Sequence, residues 1–342
     1  MAVTMDIERY DAKHTSAGTK RSFSLMVDVG LPEKMTMPVL HIDGAAAGAT
    51  LLILASVHGD EYEGVETALR LYRDVNPDEL AGTILIVPTA NPLAYRGATR
   101  TSPEDGVNMA RAFPGKPDGT PTERIAWQLH HRFIAAADFM LDLHSGGTHY
   151  SISTLVGYYD NEATDVGRRS RAAAESFGAE LLWAHAAINP GRSVSSAIAL
   201  GVPCLYTEAY GGKRVRREDA ELFYRGAFRL MAHLGMLSGA SADAWAAEAE
   251  AACAQTAAQA RRIYGDGNFD ESELAAADGF FIPALPLGAE AKAGETVGSI
   301  YGLDGEEAQR IVAASSGVVV MLPGTPIVRA GEALFMIASL EP

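Results

Sequence analysis

TLLILASVHGDEYEGVETALRLYRDV, residues 50–75, changes its period halfway along. The first part is a continuous apolar run, the pattern of a strand buried on both faces. The second part places Val65, Leu69 and Tyr72 at helical spacing. A further apolar run, TILIVPTA at 83–90, follows. The stretch therefore predicts a strand, a helix and a second strand, about the length that a parallel crossover needs.

The same alternation extends in both directions. Residues 21–57 read as strand and turn. PTERIAWQLHHRFIAAA, 121–137, opens with Pro121, Thr122 and Glu123, a helix start, and leads into the strand FMLDLHS at 139–145. A helix near DVGRRSRAAAESFG, the strand GVPCLYTEAY and a helix from about Asp219 to Leu237 complete an α/β layer. Alanine-rich residues 238–264 predict a loose joint and helix ending at the turn YGDGN. From 268 onward the chain is short β segments cut by Gly and Pro, the pattern of a small all-β barrel or sandwich. The expected division is 1–265 for a mixed sheet flanked by helices and 266–342 for the β unit.

Composition narrows the function. The 342 residues are 48% hydrophobic and 21% charged, as in an ordinary globular protein. A formal charge of −15 repels nucleic acid phosphates and anionic lipid, so neither is an expected partner. No stretch approaches 18 uninterrupted apolar residues, and MAVTMDIERYDAKH carries charge early, so the expected location is cytoplasmic. Cys204 and Cys253 are too few for a disulfide framework or a four-cysteine zinc site. Any metal must be held by histidine and carboxylate.

Those donors sit where ligands bind in open α/β sheets, at the carboxyl ends of strands. His58 and Glu61 follow the first apolar run, three residues apart in a turn, so both can address one ion. Each half of such a pair is common on a protein surface. His144, in LDLHSGG, ends a second strand and is the natural third ligand. Three protein ligands with a fourth position open is the catalytic zinc arrangement, whereas structural sites are closed. Glu208, in YTEAYGG, ends a third strand on the face of Tyr206 and Cys204. A carboxylate there can take a proton from water and pass it to a leaving amine. Alone it would read as a surface glutamate.

NPLAYRGATRTSPEDGVNMARAFPG, 91–115, is a long polar loop carrying Asn91, Arg100, Asn108 and Arg111. Loops of this length in compact domains are usually functional. Arginine suits a carboxylate-bearing substrate, because its planar fork binds both oxygens. His130, His131, His149, His185 and His233 lack comparable surroundings and read as ordinary polar residues, and Cys204 as a small buried hydrophobe.

Taken in order, HGDE, NPLAYRGATR, DGVNMARAFPG, LDLHSGG and TEAYGG resemble the succinylglutamate desuccinylase and aspartoacylase family, a branch of the zinc carboxypeptidase-like fold. The resemblance covers residues 45–240, and the tail is similar to the barrel-sandwich domain these amidohydrolases carry. It implies one zinc held by His58, Glu61 and His144, and Glu208 as general base and acid. It also implies that Arg100 polarises the scissile carbonyl, that Arg111 holds substrate carboxylate, and that Asn108 lies near His58. One position departs: where the family has Asn before the second arginine, this chain has Ala110. The tail presents no lysine at a hairpin tip, so neither biotin nor lipoate is expected.

The resulting expectation is a zinc-dependent deacylase of a small N-acyl amino acid. N-acetyl-2,4-diaminobutyrate is one candidate, since its deacetylase in ectoine breakdown resembles this chain in size and two-part layout. The sequence leaves a homo-oligomer open. The competing readings are a metallocarboxypeptidase acting on peptides and a metal-binding protein without turnover. Glu208 separates the last, because a binding protein has no use for a positioned base.

Overall fold

The computed structural model describes residues 2–269 and 272–342. Its first strands are β1 (Val3–Asp6), β2 (Thr19–Val27), β3 (Met35–Asp43), β4 (Ala46–Ala55), β5 (Ala81–Val87) and β6 (Phe139–Leu143). They are followed by β7 (Tyr150–Ile152), β8 (Leu155–Tyr159), β9 (Leu181–His185), β10 (Cys204–Glu208) and β11 (Arg261–Tyr264). All but β7 form one ten-stranded mixed sheet in the order β1-β2-β3-β5-β4-β6-β10-β8-β9-β11.

The apolar run of β4 is explained by alternation. Leu52 and Leu54 point into a layer with Ile125, Leu129, Phe133 and Val194, while Leu51 and Ile53 point into one with Leu71, Phe177, Phe223 and Met231. Helices cover both faces: α1 (Glu63–Asp74), α2 (Pro92–Gly97), α3 (Pro121–Gln128), α4 (Asp165–Phe177), α5 (Ser193–Ala199), α6 (Arg217–His233) and α7 (Gly239–Gln259).

The β4-α1-β5 crossover forms as expected, but α1 turns a different face inward. Gly64, Thr67, Ala68 and Leu71 are buried, and Leu69 is 51% exposed. A Cβ on Gly64 would come within 2.7 Å of the Leu143 Cβ, so the helix is drawn in by its smallest residues and the larger Val65 and Tyr72 are left at its flanks. The alanine-rich segment also differs: α7 ends at Gln259 and the chain re-enters the sheet as edge strand β11, parallel to β9.

Eight further strands follow: β12 (Glu273–Leu274), β13 (Gly279–Pro283), β14 (Glu290–Ala291), β15 (Thr296–Tyr301), β16 (Glu307–Val312), β17 (Gly317–Pro323), β18 (Ile327–Val328) and β19 (Ala333–Ala338). They make two small sheets, β12-β19-β17-β14 and β16-β15-β13-β18, around Phe281, Val297, Ile300 and Leu334. Strand β7 leaves the large sheet's neighbourhood to pair antiparallel with β17, Ile152 opposite Met321. Leu181, Trp183, Ile263 and Phe269 share an apolar cluster with Val318, Val320 and Met321. Among the described residues no helix is long and apolar enough to cross a membrane.

Candidate metal and catalytic site

Three adjacent strands, β4, β6 and β10, run parallel, so their carboxyl ends emerge at one edge of the sheet. The turn after β4 carries His58 and Glu61, β6 leads into His144, and β10 ends at Glu208. Ser56 begins the first turn in the left-handed region (φ 54°), and its hydroxyl donates to the His58 carbonyl. A non-glycine residue there is strained and persists only where its surroundings impose it. After His144 the chain turns at Gly147 (φ 56°), where a Cβ would meet the Asp60 carboxylate at 2.9 Å.

The donor atoms of His58, Glu61 and His144 all lie within 4.8 Å of one another. Donors about 2.0–2.2 Å from a shared zinc are at most about 4.4 Å apart, so the set needs only small side-chain adjustments. Two imidazoles and a carboxylate are also the ligand types zinc takes. Each donor is held from behind. His58 Nδ1 donates to the Arg100 carbonyl at 3.1 Å, which leaves Nε2 as its free donor atom. His144 has Nδ1 3.1 Å from Glu61 Oε2 and Nε2 3.1 Å from Asp142 Oδ2. Glu61 also accepts from the Ser145 backbone N–H at 3.1 Å and from Arg100 Nη1 at 3.5 Å.

Burial and charge set the protonation of this cluster. Burial, together with the Arg100 and His144 charges, holds His58 well below the ordinary histidine range. Burial alone would lower His144, but the Asp142 and Glu61 carboxylates outweigh it and raise it well above that range. Burial, reinforced by Glu61, pushes Glu208 up to about 8 against the opposing pull of His144 and Arg100. Glu208 Oε2 is buried and has no hydrogen-bond partner among the described residues. A divalent ion in the cluster favours the deprotonated forms and so acts against the upward shifts.

These groups face one cavity, whose wall also includes Arg100, Ala110, Arg111, Asp142, Tyr150, Ile152, Arg192, Ser193, Tyr206 and Phe269. The segment 265–269 follows β11, and its Gly267 and Phe269 line the cavity. Arg192 donates to the carbonyls of Asp266 (3.0 Å) and Gly267 (3.2 Å), and Arg111 donates to the Asn268 side chain (3.3 Å). Phe269 packs edge-on against Trp183.

Of the eight residues singled out from the sequence, six reach this cavity: His58, Glu61, Arg100, Arg111, His144 and Glu208. The other two do not line it. Asn91 caps α2 by accepting from the Ala94 N–H, and Asn108 accepts from the Ala110 N–H, so both amides shape the loop. His58 takes its partner from the Arg100 backbone and not from Asn108. Arg192 and Asp142 were missed. Asp142 left a trace in LDLHS, an acid in an apolar strand two residues before a candidate ligand and so on its face. Arg192 left none beyond the turn residues preceding a helix.

A mixed sheet with two histidines and a glutamate at neighbouring strand ends, and a second buried glutamate beside them, is the plan of a carboxypeptidase-like hydrolase. A family model of the succinylglutamate desuccinylase/aspartoacylase catalytic domain matches residues 47–234. The chain belongs to that family.

One relative is the N-alpha-acetyl-L-2,4-diaminobutyric acid deacetylase of Halomonas elongata, 32% identical over 193 residues, 56% of this chain and 56% of that protein. The aligned stretch thus spans about half the length of that curated relative. Among solved structures, a succinylglutamate desuccinylase/aspartoacylase from Rhodobacter sphaeroides is 25% identical with a TM-score of 0.82, covering 97% of both chains. The product-bound ectoine utilization protein EutE (DoeB) from Ruegeria pomeroyi has the same fold, at 23% identity, a TM-score of 0.82 and 97% coverage of both chains.

Proposed function

We propose that this chain is a zinc-dependent amidohydrolase that splits a small N-acyl amino acid into a carboxylate and an amine, with N-acetyl-2,4-diaminobutyrate as the first substrate to try. One observation carries the reading. Glu208, buried and with an unpartnered oxygen, opens onto the same cavity as the His58, Glu61 and His144 donors. The name of the 32%-identical relative supports the choice of substrate.

His58 through Nε2, Glu61, and His144 through Nδ1 would hold the metal. Zinc bound there supplies Lewis acidity and lowers the pKa of water toward about 7. Glu208 accepts the proton of the attacking water and delivers it to the amine nitrogen as the C–N bond breaks. Arg100, whose guanidinium lies over Tyr150 and beside Glu61, faces the carbonyl oxygen as charge builds on it. Arg111 binds the substrate carboxylate, and Arg192 is the group that stands in for the amide absent at Ala110.

Residues 1–265 act as the catalytic unit and 266–342 as a barrel-sandwich unit that closes the cavity through Phe269. A cavity walled on one side by Gly267 and Phe269 of the connecting segment suits a small molecule better than a peptide. Two unpaired cysteines fit a reducing, cytoplasmic setting.

The test is a screen of N-acetyl, N-succinyl and N-formyl amino acids, with peptides alongside, using purified protein with and without chelator. Release of free amine from one small substrate, lost with chelator and restored by zinc, is expected. Chelator-insensitive turnover, or preference for peptides, contradicts the reading.

A further inference from the structure

Asp142 is fully buried in the middle of β6, between Leu141 and Leu143. A carboxylate in such a place costs several kcal/mol unless its partners compensate. Only one of its oxygens is compensated. Oδ2 accepts from Ser193 Oγ and lies 3.1 Å from His144 Nε2, whereas Oδ1 has no hydrogen-bond partner among the described residues. A strand built only for stability would carry a third leucine here. The placement makes sense if the carboxylate serves His144.

We propose that Asp142, set by Ser193, is the positioning residue of the metal site. Its carboxylate lies against His144 Nε2, which turns Nδ1 toward Glu61 and the metal, and it links that ligand to the arginine wall of the cavity. The inference rests on the metal reading given above.

The two histidines are backed at opposite ring nitrogens. His58 gives its Nδ1 proton to a backbone carbonyl and leaves Nε2, while His144 sets Nε2 3.1 Å from the Asp142 carboxylate, with Nδ1 on the side of Glu61. An anionic acceptor raises ligand basicity more than a neutral one and makes the stronger hydrogen bond. His144 is therefore the ligand whose grip depends most on its outer partner.

Ser193 extends the link. It is the first residue of α5, and the residue before it, Arg192, reaches the cavity and is tied to the 266–267 carbonyls. A backbone shift that moves Arg192 moves the Ser193 hydroxyl, and with it Asp142 and His144.

Zinc affinity of the full-length apoprotein, measured by competition with a colorimetric chelator, tests this independently of turnover, with thermal melts of the apo forms as a folding control. Asp142→Asn keeps the shape but removes the anion, and should bind zinc about 10–100-fold more weakly. Ser193→Ala should weaken binding by a smaller factor and have no added effect in the Asp142→Asn background, as expected of residues acting through one another. Ser193→Ala also carries the test should Asp142→Asn fail to fold. Wild-type zinc affinity in folded Asp142→Asn, or in Ser193→Ala if that is the folded variant, overturns the positioning role. His144→Ala separates the two claims. If it loses zinc while Asp142→Asn retains it, only the Asp142 role falls, and if it too keeps full zinc, the metal assignment falls and this inference with it.

Discussion

Arg192 Nη1 donates to the Asp266 carbonyl at 3.0 Å, so a cavity arginine from the α/β layer is held by the connection that leads into the C-terminal sheets. Arg111 reaches the same connection through Asn268. The arginine wall of the cavity and the connection are thus one assembly.

Arg111→Ala should therefore act mainly on binding. A charge-assisted hydrogen bond is worth about 1.5–3 kcal/mol, which corresponds to KM rising about 10–150-fold with kcat little changed. Steady-state kinetics on the screened substrate check it. A fall in kcat at constant KM would place Arg111 with the groups that stabilise charge during reaction.

Trp183 is 1% exposed and joins the large sheet to Phe269, Val318 and Met321. Trp183→Ala should cost about 3–5 kcal/mol in urea unfolding, as large core truncations do. It should also perturb KM, because Phe269 loses its support. A loss below about 1 kcal/mol would show that the cluster does not hold the two parts together. For the same reason a truncation at 265 should yield poorly soluble protein, since it strips the cover from Leu181, Trp183 and Ile263.

The parts of the molecule legible in the sequence are those that periodicity and strand ends report. The β4 run Leu51–Leu54 is apolar throughout because both faces are covered, and His58, His144 and Glu208 stand out because each follows such a run. Tertiary choices were hidden. The inward face of α1 was set by glycine and alanine, which carry no apolar signal, and β7 and β11 are too short for any period to show. Asn91 precedes Pro92, a cap followed by a proline at the first helical position, which is the local reason its amide is spent on the turn.

His185 offers a pH test. Its Nδ1 lies 2.6 Å from the Gly265 carbonyl and its Nε2 2.7 Å from the Tyr206 hydroxyl, and burial lowers its pKa to about 4. The folded value lies below the unfolded one of about 6.5, so the neutral form is the folded one. The stability it contributes is complete above pH 6.5 and is lost as pH falls from there toward 4, by about 1.4 kcal/mol per unit. Urea unfolding at pH 7 and pH 5 should show a fall of about 2 kcal/mol that His185→Gln diminishes. Equal pH dependence in both proteins would remove His185 from the account.

The central claim is that a buried glutamate beside the metal donors moves the protons of hydrolysis, and Glu208→Gln tests it most directly. Glutamine keeps the size but cannot accept the proton, so the variant should retain zinc and wild-type KM while kcat falls by on the order of 10² to 10⁴-fold. A variant with near-normal kcat, or one that has lost its zinc, would contradict the assignment.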